Sequence, residues 1–233
     1  MRDLTTLLWG IALTVAAAAG PLLLDHFWLV LAWAAAAVAI AWLAGAVREE
    51  RLRFAALGYT LLAVGDTLVR EERPDRLVHA ALHPGGGLPS VALAVAAVAA
   101  VAALTPRSTA RLAGFWSAAV LFVYGLSLGI LELAERIAPG SDVHTNFQRG
   151  HTGVSALWGL LGLALLYAGL RRGRRALRLG GFTLLGLSVG KLFLYDLATL
   201  SSATRAVSFL AVGAVLLLGG FFYQRLAHRP RVS

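Results

Sequence analysis

Cysteine is absent from the 233-residue chain, which excludes disulfides and thiolate-held metal. Charge is scarce: 14% of the residues are Asp, Glu, Lys or Arg, and of 21 basic residues only Lys191 is a lysine. Signatures of soluble chemistry are missing too. There is no nucleophile elbow, no P-loop and no dinucleotide fingerprint. The stretch "HPGGGLP" (83–89) is glycine-rich but lacks the flanking strand and helix that phosphate binding needs. "HAALH" sets His79 and His83 four apart without the glutamate of a zinc-protease signature. His144 and His151 stand seven apart in "HTNFQRGH", where Gly150 and Gly153 predict a loose start to the following helix. These patterns carry no expectation of a metal or a cofactor.

What is present is apolar. Hydrophobic residues make up 58% of the chain and the mean hydropathy is +0.74, more than one soluble core can hide. A membrane-spanning helix needs roughly 20 mostly apolar residues. Eight such runs follow one another, at 4–24, 27–47, 54–69, 88–104, 112–133, 152–170, 177–197 and 206–223. Long Ala/Leu/Val runs lack the alternation of outer-membrane barrel strands, so the expected fold is an all-α, polytopic integral membrane protein forming one transmembrane domain. The first run has the basic start and small-residue end of a signal peptide. Only Asp25 and His26 separate it from the second run, so it is read as a helix.

Arginine sets the expected orientation. Fourteen of the 21 basic residues fall at one set of helix ends: Arg2, then 48–53, 107–111, "RRGRRALR" (171–178) and 225–231; six fall at the other, with Lys191 inside a helix. Both termini are therefore expected in the cytoplasm, and the net charge of +9 reads as topology plus contact with membrane lipids, not as a nucleic-acid footprint. The acids gather on the opposite side, where nine of the 12 lie, as do five of the six histidines.

A gapless shift of 125 residues brings His26 onto His151, Trp33 onto Trp158, Trp42 onto Tyr167, Arg53 onto Arg178 and Val64-Gly65 onto Val189-Gly190. This predicts two parallel four-helix halves, 1–110 and 111–233, related by an axis along the membrane normal, an arrangement that places sites at the repeat interface. The next pair in register is Asp66 and Lys191. Each lies 13 residues beyond its arginine, ~20 Å along a helix, and an ionised group at such depth normally faces the bundle interior and pairs. An Asp66–Lys191 ion pair is the expectation, with snorkelling of Lys191 or a purely structural lock as the plainer readings. Gly186 and Gly190, in GxxxG spacing before Lys191, predict close approach of a neighbouring helix there. Asp196 and Arg205 flank the turn "LATLSSAT" and read as an interfacial pair; Asp196 and Lys191 sit about 140° apart around a helix. Glu132 closes the fifth helix, solvated or turned inward.

The C-terminal stretch from "SALWGLLGLALLYAGLRRGRRALRLGG" through "KLFLYDL" to "SFL" and "YQR" resembles the closing segment of the bacterial predicted membrane proteins called domain of unknown function 2339. The resemblance covers roughly 70 residues and implies a compact bacterial relative, inner-membrane location and no established activity. It marks Lys191, Asp196 and Arg205 as positions to watch. Three functions stay open: transport of a small solute or ion through an outward-facing polar site, an enzyme acting on a lipid-linked or envelope substrate with Glu132, Asp196 or a histidine as acid/base, and a structural subunit.

Overall fold

The computed structural model describes residues 2–79, 83, 85–106, 108–137, 142–192 and 202–227. Among them are eight α-helices and no strand: α1 (Arg2–Leu23), α2 (His26–Val47), α3 (Glu50–Asp66), α4 (Leu88–Leu104), α5 (Thr109–Ile137), α6 (Val143–Arg171), α7 (Arg175–Lys191) and α8 (Ser202–Ala227). Every apolar run of the sequence is answered by a helix. Among the described residues four helical stretches are long and apolar enough to cross a membrane, namely His26–Val47, Glu50–Glu71, Thr109–Ile137 and Val143–Arg171. Large side chains such as Leu22, Phe54, Leu61 and Leu217 are 70–85% exposed, the surface that lipid tails, and not water, would cover.

One expectation needs correction. The sixth helix does not start loosely near residue 152; α6 begins at Val143 and runs through both glycines. Glycine weakens a helix by about 1 kcal/mol relative to alanine, but Asn146, Gly150, His151 and Val154 form one buried face here, and packing overrides the propensity. His144 and His151 therefore do share a helix, with His144 exposed and His151 buried.

The chain divides into two compact units, Met1–Glu132 and Leu133–Ser233. In the first, α2, α3 and α4 share an alanine-rich core that includes Val30, Trp33, Ala37, Ala41, Ala56, Ala63, Ala97 and Val101. Small side chains let these helix backbones approach closely. Tyr59 of α3 donates its hydroxyl to the Leu13 carbonyl of α1 at 2.7 Å. The α2–α3 turn is tight: Arg48 takes the left-handed conformation (φ 57°, ψ 35°) and Glu49 is extended. Beyond Asp66 the helix widens into a π turn, Thr67–Glu71, and Pro74 opens a 3-10 turn over Pro74–Leu77. Pro89 sits in the first turn of α4, where its missing N–H costs nothing.

In the second unit, α6 and α7 form a hairpin closed by Gly173 in the left-handed region (φ 65°). Glycines bring the two helices together. A Cβ on Gly181 would stand 2.7 Å from the Gly162 carbonyl oxygen and the Leu166 nitrogen, and one on Gly169 would stand 2.6 Å from the Arg178 nitrogen. Gly186 and Gly190, the pair that the spacing singles out, have no described atom within 4 Å of such a Cβ. Close approach belongs to the other face of α7. The C-terminal helix α8 lays Phe222 edge-on to Tyr167 of α6 and Tyr223 edge-on to Phe182 of α7.

Candidate functional site

Lys191 ends α7, facing the first half of α6. Its ammonium donates to the Ser155 hydroxyl at 2.8 Å and to the His151 carbonyl at 3.2 Å. Ser155 donates back along its own helix to the same His151 carbonyl at 3.1 Å, and Ser188, one turn before Lys191, donates to the Ser155 carbonyl at 3.0 Å. The His151 ring is 4% exposed, with Phe147 packed edge-on 4.3 Å away. Half-buried, the lysine meets two oxygens of α6 among the described residues, the Ser155 hydroxyl and the His151 carbonyl. Such a group can hold a proton or an anion, since an ammonium confined away from water is stabilised by whatever negative charge reaches it.

Asp66, the residue expected to face Lys191, is buried in the first unit and has a partner on its own helix. Arg70 lies 3.3 Å from its Oδ1, while Oδ2 is buried without a hydrogen-bond partner among the described residues. Arg70 is 58% exposed on its side chain, so solvent screens this pair. His26 opens α2 with φ 32° and is exposed, in surroundings unlike those of His151. Asp196 lies outside the described residues, and of Arg205 only its backbone position in α8 is described.

The second constellation was not legible from the sequence. Glu72, just past the π turn, is fully buried. One carboxylate oxygen accepts the backbone N–H of Gly87 and the other the guanidinium of Arg76 at 2.9 Å, and Tyr124 of α5 donates to the Glu72 carbonyl at 2.7 Å. Glu132, also buried, accepts the N–H of Gly85 at 3.1 Å. The glycine run is what lets the loop come so near: a Cβ on Gly85 would sit 2.8 Å from the Glu132 Cβ, and one on Gly87 would sit 2.8 Å from the Glu72 Cγ. The loop clasps two carboxylates of its own chain. Burial pushes the Glu72 carboxyl up from its ordinary range, against the opposing pull of the Gly87 N–H and Arg76. The available signals were the i, i+4 spacing of Glu72 and Arg76 and three successive glycine donors, neither of which says that the groups meet.

No curated protein and no solved structure matches the chain. A family model described as "Predicted membrane protein (DUF2339)" matches residues 86–226. The match starts inside the glycine loop and takes in α4 to α8, so the Lys191 cradle falls within it and Asp66 and Glu72 do not. It reaches well beyond the C-terminal stretch that first suggested it and covers more than half of the chain, which therefore belongs to this family of predicted membrane proteins.

Proposed function

We propose that this is a bacterial inner-membrane protein of eight spans, built from two parallel repeats, that moves a small solute or ion through an outward-facing polar site centred on Lys191. Support for the repeat comes from the 125-residue register. It sets Glu50–Asp66 on Arg175–Lys191, two helices of 17 residues, and Arg48 on Gly173, the left-handed residues of their turns. Buried positions coincide as well: Leu29 with Val154, Val30 with Ser155, Ala37 with Gly162, Ala56 with Gly181, Ala63 with Ser188.

The observation that carries the functional reading is a contrast inside this register. Where the second hairpin buries Ser155 and Ser188, the first buries Val30 and Ala63. A hairpin of this kind packs without hydroxyls at these two positions; here the Ser155 hydroxyl receives Lys191 and Ser188 holds the Ser155 carbonyl. Burying a lysine costs about 2.5 to 3.5 kcal/mol on insertion scales, and an ionisable group held inside a span at that cost is a functional candidate by default. The enzyme reading is less favoured, because Glu132 is buried with one carboxylate oxygen held by the Gly85 N–H.

The test uses the full chain in proteoliposomes under an imposed membrane potential, with proton flux read by a trapped pH dye and potassium flux by an electrode. Lys191→Met should abolish flux above empty vesicles. If the wild type itself passes neither ion nor any offered solute, the structural-subunit reading takes over. Stability of the same variants addresses the proposed Asp66–Lys191 pair. Breaking a buried pair costs about 3 to 5 kcal/mol, reduced here by the solvent-screened Arg70 beside Asp66. Lys191→Met and Asp66→Asn should each lower the unfolding midpoint in detergent, and the double variant should recover much of the loss; additive losses would mean that the two residues do not pair.

Orientation is checked separately. A cytoplasm-active reporter fused after Arg231 or within 171–178 should give signal, and one within 70–87 should not. The opposite pattern overturns the threading.

A further inference from the structure

Five arginines crowd the α6–α7 turn. Arg171, Arg172, Arg174 and Arg175 are exposed and Arg178 is half-buried. Among the described residues none of them is in an ion pair, whereas Arg53, Arg70 and Arg76 pair with Glu50, Asp66 and Glu72. Like charges at such density repel one another, and the α2–α3 turn shows an alternative. It has the same backbone, with a left-handed residue followed by an extended one (Glu49 φ −101°, ψ 113°; Arg174 φ −92°, ψ 107°) and a 17-residue helix. There, however, the residues entering the helix are Glu49 and Glu50, and Glu50 pairs with Arg53 at 3.6 Å.

Acids at a helix start complement the partial positive charge of its free N–H groups, and arginines there oppose it. Arg174 and Arg175 occupy those positions in α7, and no side chain caps the helix. Orientation does not require charge at these two positions, since Arg171 and Arg172 already mark that side. The surface next to the arginines is apolar: Leu179 and Phe182, one and two turns into α7, are 55% and 50% exposed.

We infer that the α6–α7 turn is a docking surface for anionic phospholipid, with the arginines on the headgroup phosphates and Leu179 and Phe182 against the acyl chains. A basic cluster directly at the end of a membrane span is the arrangement that binds anionic headgroups, and arginine holds phosphate oxygens with paired donors. The apolar flank points to a lipid over a soluble polyanion, which would need the charge alone. The inference rests on the reading that this turn lies at the membrane surface, which the reporter fused within 171–178 tests independently.

The experiment uses the full chain in non-ionic detergent, with phosphatidylglycerol, phosphatidylcholine or inorganic phosphate added, reading unfolding midpoint and retained lipid by native mass spectrometry. Phosphatidylglycerol should raise the midpoint and be retained over phosphatidylcholine. Arg174→Gln/Arg175→Gln should weaken its binding on the order of tenfold, and Arg171→Gln/Arg172→Gln should do the same, whereas Arg48→Gln/Arg51→Gln in the other turn should leave it unchanged. All of these side chains are exposed, so the variants fold. Equal retention of both lipids, or losses equal in the two turns, overturns the inference. A midpoint rise reproduced by inorganic phosphate overturns the lipid as ligand and leaves a soluble anion. A reporter result placing 171–178 outside overturns the threading, while selective lipid retention would still stand.

Discussion

Glu72→Ala is expected to lower the stability of the detergent-extracted protein by about 3 kcal/mol. The side chain is fully buried, and its removal leaves the Gly87 N–H without its acceptor, the partly exposed Arg76 without its counter-ion and a void between the glycine loop and the π turn. Glu72→Gln should stay much closer to wild type at neutral pH. It keeps the shape and an acceptor for Gly87, and it gives up an ion pair whose desolvation offsets most of its attraction. The pH dependence follows from the raised Glu72 pKa. The folded protein holds the proton more tightly than the unfolded chain, so this contribution to stability is full below the ordinary glutamate value of about 4.3 and is lost as pH rises through the folded value. Unfolding midpoints measured across that range should fall with pH in the wild type more than in Glu72→Gln. Equal slopes, or a harmless Glu72→Ala, would show that the clasp does not hold the loop.

Gly181→Ala should destabilise by about 2 to 3 kcal/mol, near the top of the overpacking range. The added methyl meets backbone, the Gly162 carbonyl oxygen and the Leu166 nitrogen at 2.7 Å and the Leu166 Cα at 3.0 Å, and a helix backbone cannot swing aside as a side-chain tip does. The only relief is separation of α6 from α7, which also pulls Ser155 and His151 away from Lys191. Gly186→Ala carries the opposite sign. Its methyl meets no described atom within 4 Å, and alanine in a helix is better than glycine by about 1 kcal/mol, so this variant should be slightly more stable. Thermal unfolding of the two variants decides between the structure and the sequence motif, because the GxxxG spacing of Gly186 and Gly190 predicts the reverse order.

These two sites also separate what is local in the chain from what is not. The apolar runs located the helices well, α4 to the residue, because a run of alanine, leucine and valine both favours helix and demands burial or lipid whatever its neighbours do. The largest difference is at the start of α6, nine residues before its apolar run, where two glycines argue against helix locally and a buried face on the same stretch argues for it more strongly. The charged residues were found but not their partners. Lys191 stood out as the single lysine, yet Ser155 and Ser188 gave no sign of serving it until α6 and α7 were seen packed together. Glu72 looked like one more acid in an outer loop.

Composition and periodicity alone were enough to determine an all-helical, membrane-type chain, the order of its helices and the depth of Lys191 along α7, since each of these follows from neighbours along the chain. Which face of α7 meets α6, which oxygens receive the lysine and which backbone N–H groups receive Glu72 and Glu132 depended on the tertiary structure. Those contacts join residues 15 to 47 positions apart. Their geometry is set by how closely glycine lets two backbones approach, a property of paired surfaces that no single stretch of sequence contains.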